Sequence, residues 1–142
     1  GKEWMPRRVK DNGVDYAHCS ALDIREYIYD MPNVLTAADV VIGRAGSATC
    51  NEIAAAGTPC ILIPSPNVTN NHQEKNARVL EAGGGAVVLL EKDCTPEKLY
   101  SLIRELLVDD TRRAEMSRKL HAQMKLDATD RICAIVEELT RR

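Results

Sequence analysis

The chain has 142 residues with a formal net charge of −2, long enough to bury a single core. Aromatics make up 4% and Phe is missing, so neither bulk charge nor stacking platforms favour a nucleic-acid partner. Five cysteines, none in a CxxC pair, argue against a zinc site or a disulfide framework and for a reducing setting. No apolar run approaches the ~20 residues of a membrane span, and no signal peptide is visible.

In chain order, the first candidate element is a weak strand over residues 24–28 (IREYI). Three stronger strands follow, over 39–42 (DVVI), 60–63 (CILI) and 86–90 (AVVLL). They are aliphatic and do not alternate, as strands covered on both faces do. Between them lie helical segments. The first, over 49–56, stops at Gly57 with Pro59 beyond; the second, over 71–82, stops at three consecutive glycines. Strand, helix, strand, helix, strand predicts right-handed crossovers and an α/β layer fold with a Rossmann-like parallel sheet.

The remainder reads as helix. Thr95 and Pro96 supply an N-cap and an N1 proline, and Leu99, Leu102, Ile103, Leu106 and Leu107 form one apolar stripe. A basic helix then opens at Asp110 or Thr111 and carries Met116, Leu120 and Met124. Asp127 is the expected cap of a last helix, with Ile132, Ile135, Val136 and Leu139 facing inward. No linker, repeat or low-complexity tract interrupts the chain.

Ligands of open parallel sheets bind beyond the carboxyl ends of the strands. Here those ends are Gly43-Arg44-Ala45-Gly46, Pro64-Ser65-Pro66 and Glu91-Lys92-Asp93. Small residues at Gly46, Ser47 and Ala48 let a ligand approach a helix N-terminus, which suits an anionic or strongly polar group. Glu52 has two readings. It can close a capping box with Thr49, or its two oxygens can accept both hydroxyls of a sugar diol. The second loop, PSPNVTNNHQ, is polar; Gln73 and Asn76 suit sugar hydroxyls, while His72 reads as a surface or capping histidine. Arg44 can pair with phosphate or bridge loop carbonyls, and the structural reading is favoured.

Taken together, DMPNVLTAADVVIGRAGSATCNEIAAAGTPCILIPSP and the following NHQEKNARVLEAGGG resemble the MurG family of bacterial transferases, from about Tyr27 to the C-terminus. Family members add GlcNAc to lipid I to make lipid II in peptidoglycan synthesis. The resemblance implies a GT-B architecture of two Rossmann-like domains, the C-terminal one holding UDP-GlcNAc. It implies that the Ile28 backbone meets the uracil. Ser47, Ala48, Thr49, Cys50, Asn51 and Glu52 line the nucleotide-sugar, with Glu52 on the ribose hydroxyls. Gln73 binds the GlcNAc hydroxyls, with His72 and Asn76 beside it. No cofactor or metal is expected, and no Asp-x-Asp motif occurs.

Residues 1–22 contain no glycine-rich loop of the kind that opens the family's donor domain. The whole of 1–142 is therefore expected to be an incomplete donor-binding domain, lacking the first strand–helix unit and the N-terminal acceptor domain. Lipid I, the membrane surface and the general base then belong to the absent part, and no catalytic residue is assigned to this chain. By resemblance the full enzyme sits at the cytoplasmic face of the bacterial plasma membrane. A non-catalytic donor-binding subunit of a split GlcNAc transferase is the alternative. A nucleotide-sugar epimerase fits less well, because few acids and histidines fall in the strand-end loops.

Overall fold

The computed structural model describes residues 11–13, 18–124 and 128–141. The chain divides into two units, Gly1–Met31 and Pro32–Arg142. In the first, residues 24–28 form no strand, and Ile24 and Tyr27 are exposed. The expected strand fails for a simple reason. Ile24, Tyr27 and Ile28 favour strand, but the segment has no ladder partner among the described residues, and a lone strand leaves its backbone groups to water.

The second unit carries the fold. Helix α1 (Met31–Ala37) leads to strand β1 (Val41–Gly43), helix α2 (Ser47–Ala56), strand β2 (Cys60–Leu62), helix α3 (His72–Ala82) and strand β3 (Ala86–Val88). Helices α4 (Pro96–Val108), α5 (Asp110–Gln123) and α6 (Ala128–Thr140) follow. The sheet is parallel, ordered β1-β2-β3, with Ile42 opposite Ile61 and Ile61 opposite Val87. The non-alternating runs have the predicted meaning: β2 is the central strand and all three of its residues are buried. Alternation along β2 sends Ile61 to one face and Cys60 and Leu62 to the other. Ile61 packs with Leu89, Leu106 and Met116, joining the sheet to α4 and α5.

Local signals account for the helix ends. Thr95 accepts a hydrogen bond from the Lys98 amide at the start of α4, as predicted. Asp109 does the same for Arg112, so the cap of α5 lies one residue before the expected opening. Gly57 takes the left-handed conformation (φ 69°) that ends α2. Helix α5 crosses the turns that end both crossover helices. A Cβ on Gly57 would lie 2.2 Å from the His121 ring, and one on Gly83 would lie 2.2 Å from the Gln123 amide. Those glycines therefore admit the neighbouring helix as well as turn the chain.

Two predicted apolar faces differ from expectation. In α4, Leu106 is buried but Leu107 is 47% exposed, since the stripe is narrower than its five residues. In α6, Ile132, Ile135, Val136 and Leu139 all lie outward, between 52% and 65% exposed. Helical periodicity fixes that these four share a side; it does not supply a surface to cover them. The expected cap, Asp127, lies outside the described residues.

Candidate nucleotide-sugar site at the strand ends

The turn from β1 into α2 is built from small residues. Gly46 is the N-cap (φ −64°, ψ 151°) and offers no side-chain cap. The first helical bond runs from the Cys50 amide to the Gly46 carbonyl at 2.9 Å. The amides of Ser47, Ala48 and Thr49 precede it and make no hydrogen bond among the described residues, leaving three donors at the positive end of the helix.

This geometry corrects the capping-box reading. Thr49 lies inside α2, three residues past the N-cap, so Thr49 and Glu52 do not stand at the positions a box requires. Glu52 is exposed and makes no hydrogen bond or ion pair among the described residues. Helical side chains lean toward the N-terminus, which from Glu52 is the direction of the turn that carries Ala48 and Thr49. Ser47, Ala48 and Asn51 are exposed with it, and Thr49 is half-buried.

Cys50 turns the other way, into the core with Ile53 and Ala54, and its amide is already bonded. As a side-chain contact for a ligand it is therefore set aside. Burial raises its thiol pKa and pushes that of Cys60 up to about 12, the adjacent Cys50 adding to the latter. Both sulfurs stay protonated near neutrality, which leaves them packing groups without nucleophilic character.

The second loop is held in an unusual backbone. Asn70 and Asn71 both have positive φ (55° and 52°), the left-handed region that asparagine tolerates better than most side chains. Asn71 donates to Glu74 at 2.6 Å, and the His72 ring bonds the Thr69 carbonyl at 2.9 Å. His72 thus serves the turn, in keeping with the capping role expected of it. Gln73 accepts the Ser65 amide through Oε1 at 2.9 Å, which leaves its Nε2 donor for another partner. Asn76 donates to the Ala45 carbonyl at 3.1 Å. It ties α3 to the first loop, a role that its expected place among sugar ligands did not include.

Arg44 donates to the Ile63 carbonyl at 3.2 Å and pairs with Glu91. The structural role expected for it is the observed one. Its partner Glu91 was visible in sequence only as part of a strand end, because an ion pair spanning 47 positions leaves no local pattern. Two clefts flank this pair. One, of about 560 Å³, is lined by Pro64, Pro66, Asn71, Glu74, Glu91 and Lys92 among others. The second, of about 330 Å³, is lined by Gly43, Arg44, Ile63, Glu91 and Cys94. Neither is lined by Glu52 or Gln73. Ile28 is half-buried within the N-terminal unit.

A parallel sheet covered by helices on both faces, with polar loops gathered at its carboxyl ends, defines the Rossmann-like layer of a GT-B glycosyltransferase. A family model, the glycosyltransferase family 28 C-terminal domain, matches residues 3–132, and the chain belongs to that family. It is 45% identical over 120 residues to the UDP-N-acetylglucosamine–N-acetylmuramyl-(pentapeptide) pyrophosphoryl-undecaprenol N-acetylglucosamine transferase of Acetivibrio thermocellus, covering 84% of this chain and 32% of the relative. A relative of the same name from Thermoanaerobacter sp. is 43% identical over 138 residues, covering 97% of this chain and 37% of the relative. The chain thus spans about a third of the length of the curated relatives it matches. The crystal structure of Acinetobacter baumannii MurG superimposes with a TM-score of 0.75 at 29% identity, over 82% of this chain and 33% of that one. A glycotransferase of kitacinnamycin shares the fold, with a TM-score of 0.64 at 24% identity over 88% of this chain and 32% of that one. Among the described residues, no helix is long and apolar enough to cross a membrane.

Proposed function

We propose that this chain is the UDP-GlcNAc-binding part of an inverting N-acetylglucosaminyltransferase that converts lipid I to lipid II in peptidoglycan synthesis. The observation that carries the reading is Glu52, an exposed carboxylate with no partner among the described residues, one turn past the open N-terminus of α2. Two free carboxylate oxygens match the two hydroxyls of a ribose. The amides of Ser47, Ala48 and Thr49 face the same end and complement diphosphate charge. Gln73, anchored through Oε1 to Ser65, keeps Nε2 for a GlcNAc hydroxyl. Asn51 lies beside Glu52 on the exposed surface of α2.

In the whole enzyme the C4 hydroxyl of the lipid-linked MurNAc attacks the anomeric carbon of GlcNAc from the face opposite the leaving UDP. The new glycosidic bond forms as the bond to the diphosphate oxygen breaks, and a general base takes the hydroxyl proton. Negative charge gathers on the departing diphosphate, where preorganised amides at the α2 N-terminus stabilise it. The base and the lipid I site belong to a second, acceptor-binding domain. On this reading the whole enzyme works at the cytoplasmic face of the plasma membrane and touches it through the other domain.

The test pairs calorimetry with a transfer assay. The chain by itself should bind UDP-GlcNAc weakly and transfer no GlcNAc to a lipid I analogue, since no acceptor domain closes over the donor. Glu52→Gln should abolish the weak binding. Turnover by the 142-residue chain alone, or binding indifferent to Glu52, would overturn the proposal.

A further inference from the structure

We propose that Arg44 and Glu91 are a positioning pair that sets the donor-site turn from a distance, without touching the donor. The inference rests on the donor-site reading above and adds a determinant outside the ligand contacts. Its basis is how one side chain joins three loops. Arg44 follows β1, Ile63 follows β2 and Glu91 lies beyond β3; the Arg44 guanidinium bonds the Ile63 carbonyl at 3.2 Å and pairs with Glu91. All three strand ends are thereby fixed relative to one another. A planar guanidinium can serve two acceptors in a set geometry, which a lysine ammonium on a flexible stem does less well.

The next residue is gripped from another element. Ala45 is fully buried, and its carbonyl accepts the Asn76 amide from α3. Consecutive residues of the turn are thus held by β-strand loops through Arg44 and by a helix through Asn76. Immediately after them come Gly46 and the free amides of Ser47, Ala48 and Thr49. Gly46 offers no side-chain cap, so the nearest anchored residues before those amides are 44 and 45. Glu91 also forms part of the wall between the two clefts, lining both. Arg44 and Glu91 are 53% and 43% exposed, so their pairing contributes little to global stability. Its effect falls on placement.

The experiment is an amide-resolved NMR titration of the 142-residue chain with UDP-GlcNAc, for wild type, Glu91→Ala and Arg44→Lys. Without ligand, both variants should shift the amides of residues 45–49 while the melting temperature hardly moves. With ligand, both should weaken binding about fivefold or more, the size expected of coupled neighbours. Unmoved free-state amides would overturn the proposal. So would tighter binding by Glu91→Ala, which would mean that Glu91 restrains an arginine meant for phosphate. A wild-type chain that gives no response to UDP-GlcNAc would defeat the donor-site reading instead. The free-state amides would still decide whether the pair positions the turn.

Discussion

The Asn76 side-chain amide donates to the Ala45 carbonyl at 3.1 Å, fastening the second crossover helix to the turn that opens the first. Both partners are at least partly shielded, so the bond is worth about 1 kcal/mol and its loss leaves a carbonyl without its acceptor role filled. Asn76→Ala should lower unfolding stability by about 1–2 kcal/mol in a denaturant titration. Asn76→Asp should cost more, because a carboxylate facing a carbonyl cannot donate. Equal stability of all three proteins would show the contact to be dispensable.

Glu52→Gln should separate binding from stability. Glu52 is neither a cap nor an ion-pair partner among the described residues, so the melting temperature should stay within error. In a complete enzyme, donor affinity should fall by roughly tenfold or more, since a charged hydrogen bond to a sugar is worth ~1.5–3 kcal/mol. An unchanged KM for UDP-GlcNAc together with a lowered Tm would reverse both halves of this expectation.

Gln73 has one atom in the fold and one available to ligand, and two substitutions tell them apart. Gln73→Ala removes the acceptor of the Ser65 amide as well as the free donor, so stability and sugar binding should both drop. Gln73→Glu keeps an acceptor for Ser65 and replaces the free donor with a charged acceptor oxygen. It should weaken UDP-GlcNAc and leave UDP nearly unaffected. Calorimetry with both ligands checks this, and equal losses for the two would place Gln73 on the nucleotide.

Gly57→Ala combines two penalties of different origin. The φ of 69° disfavours any Cβ, at about 1–2 kcal/mol. The new methyl would also sit 2.2 Å from the His121 ring, forcing that flexible side chain away. Adding His121→Ala should relieve the second penalty and not the first, so the double variant should recover only part of the lost stability. Full recovery would mean that the left-handed backbone costs nothing here.

The Cys60 thiol gives a pH signature. Its folded pKa of about 12 lies above the ordinary 9.0 because burial, with Cys50 beside it, penalises the thiolate. The unfolded chain therefore releases this proton first. The contribution is fully present below the ordinary value and is lost as pH rises toward the folded value, between about 9 and 12. Stability measured across that window should fall with pH, and Cys60→Ala should flatten the slope around a lower baseline. Thiol reagents at neutral pH should leave Cys60 untouched in the native protein.

Elements with a strong local signature were legible from sequence. The buried run around Ile61, the Thr95 cap and the Gly57 stop each depend on neighbours in the chain, and each lies where its residues imply. Residues whose role depends on a distant partner were harder. Glu91 is unremarkable until Arg44 arrives from another loop, and Asn76 looks like a ligand until Ala45 turns out to need its donor. Glu52 shows a different limit. Its spacing from Thr49 fits a capping box, but Gly46 had already started the helix. The α6 stripe is apolar as its spacing implies but lies exposed, because amphipathicity speaks of one surface and burial requires two.

Glu81 lies on the last full turn of α3, and its Oε1 accepts the Val88 amide at 3.1 Å while its other oxygen pairs with Arg78. Val88 is on the outer side of β3, since the flanking Leu89 amide is the one that reaches β2. Among the described residues of the second unit, the opposite margin has no such guard. Ile42 points its backbone away from β2 and is 44% exposed, and no described strand pairs with β1. The sheet therefore has a direction of growth, like a polymer with one terminated end and one live end. A further strand must displace a carboxylate to join at β3, and among the described residues of this unit it meets no comparable obstacle at β1.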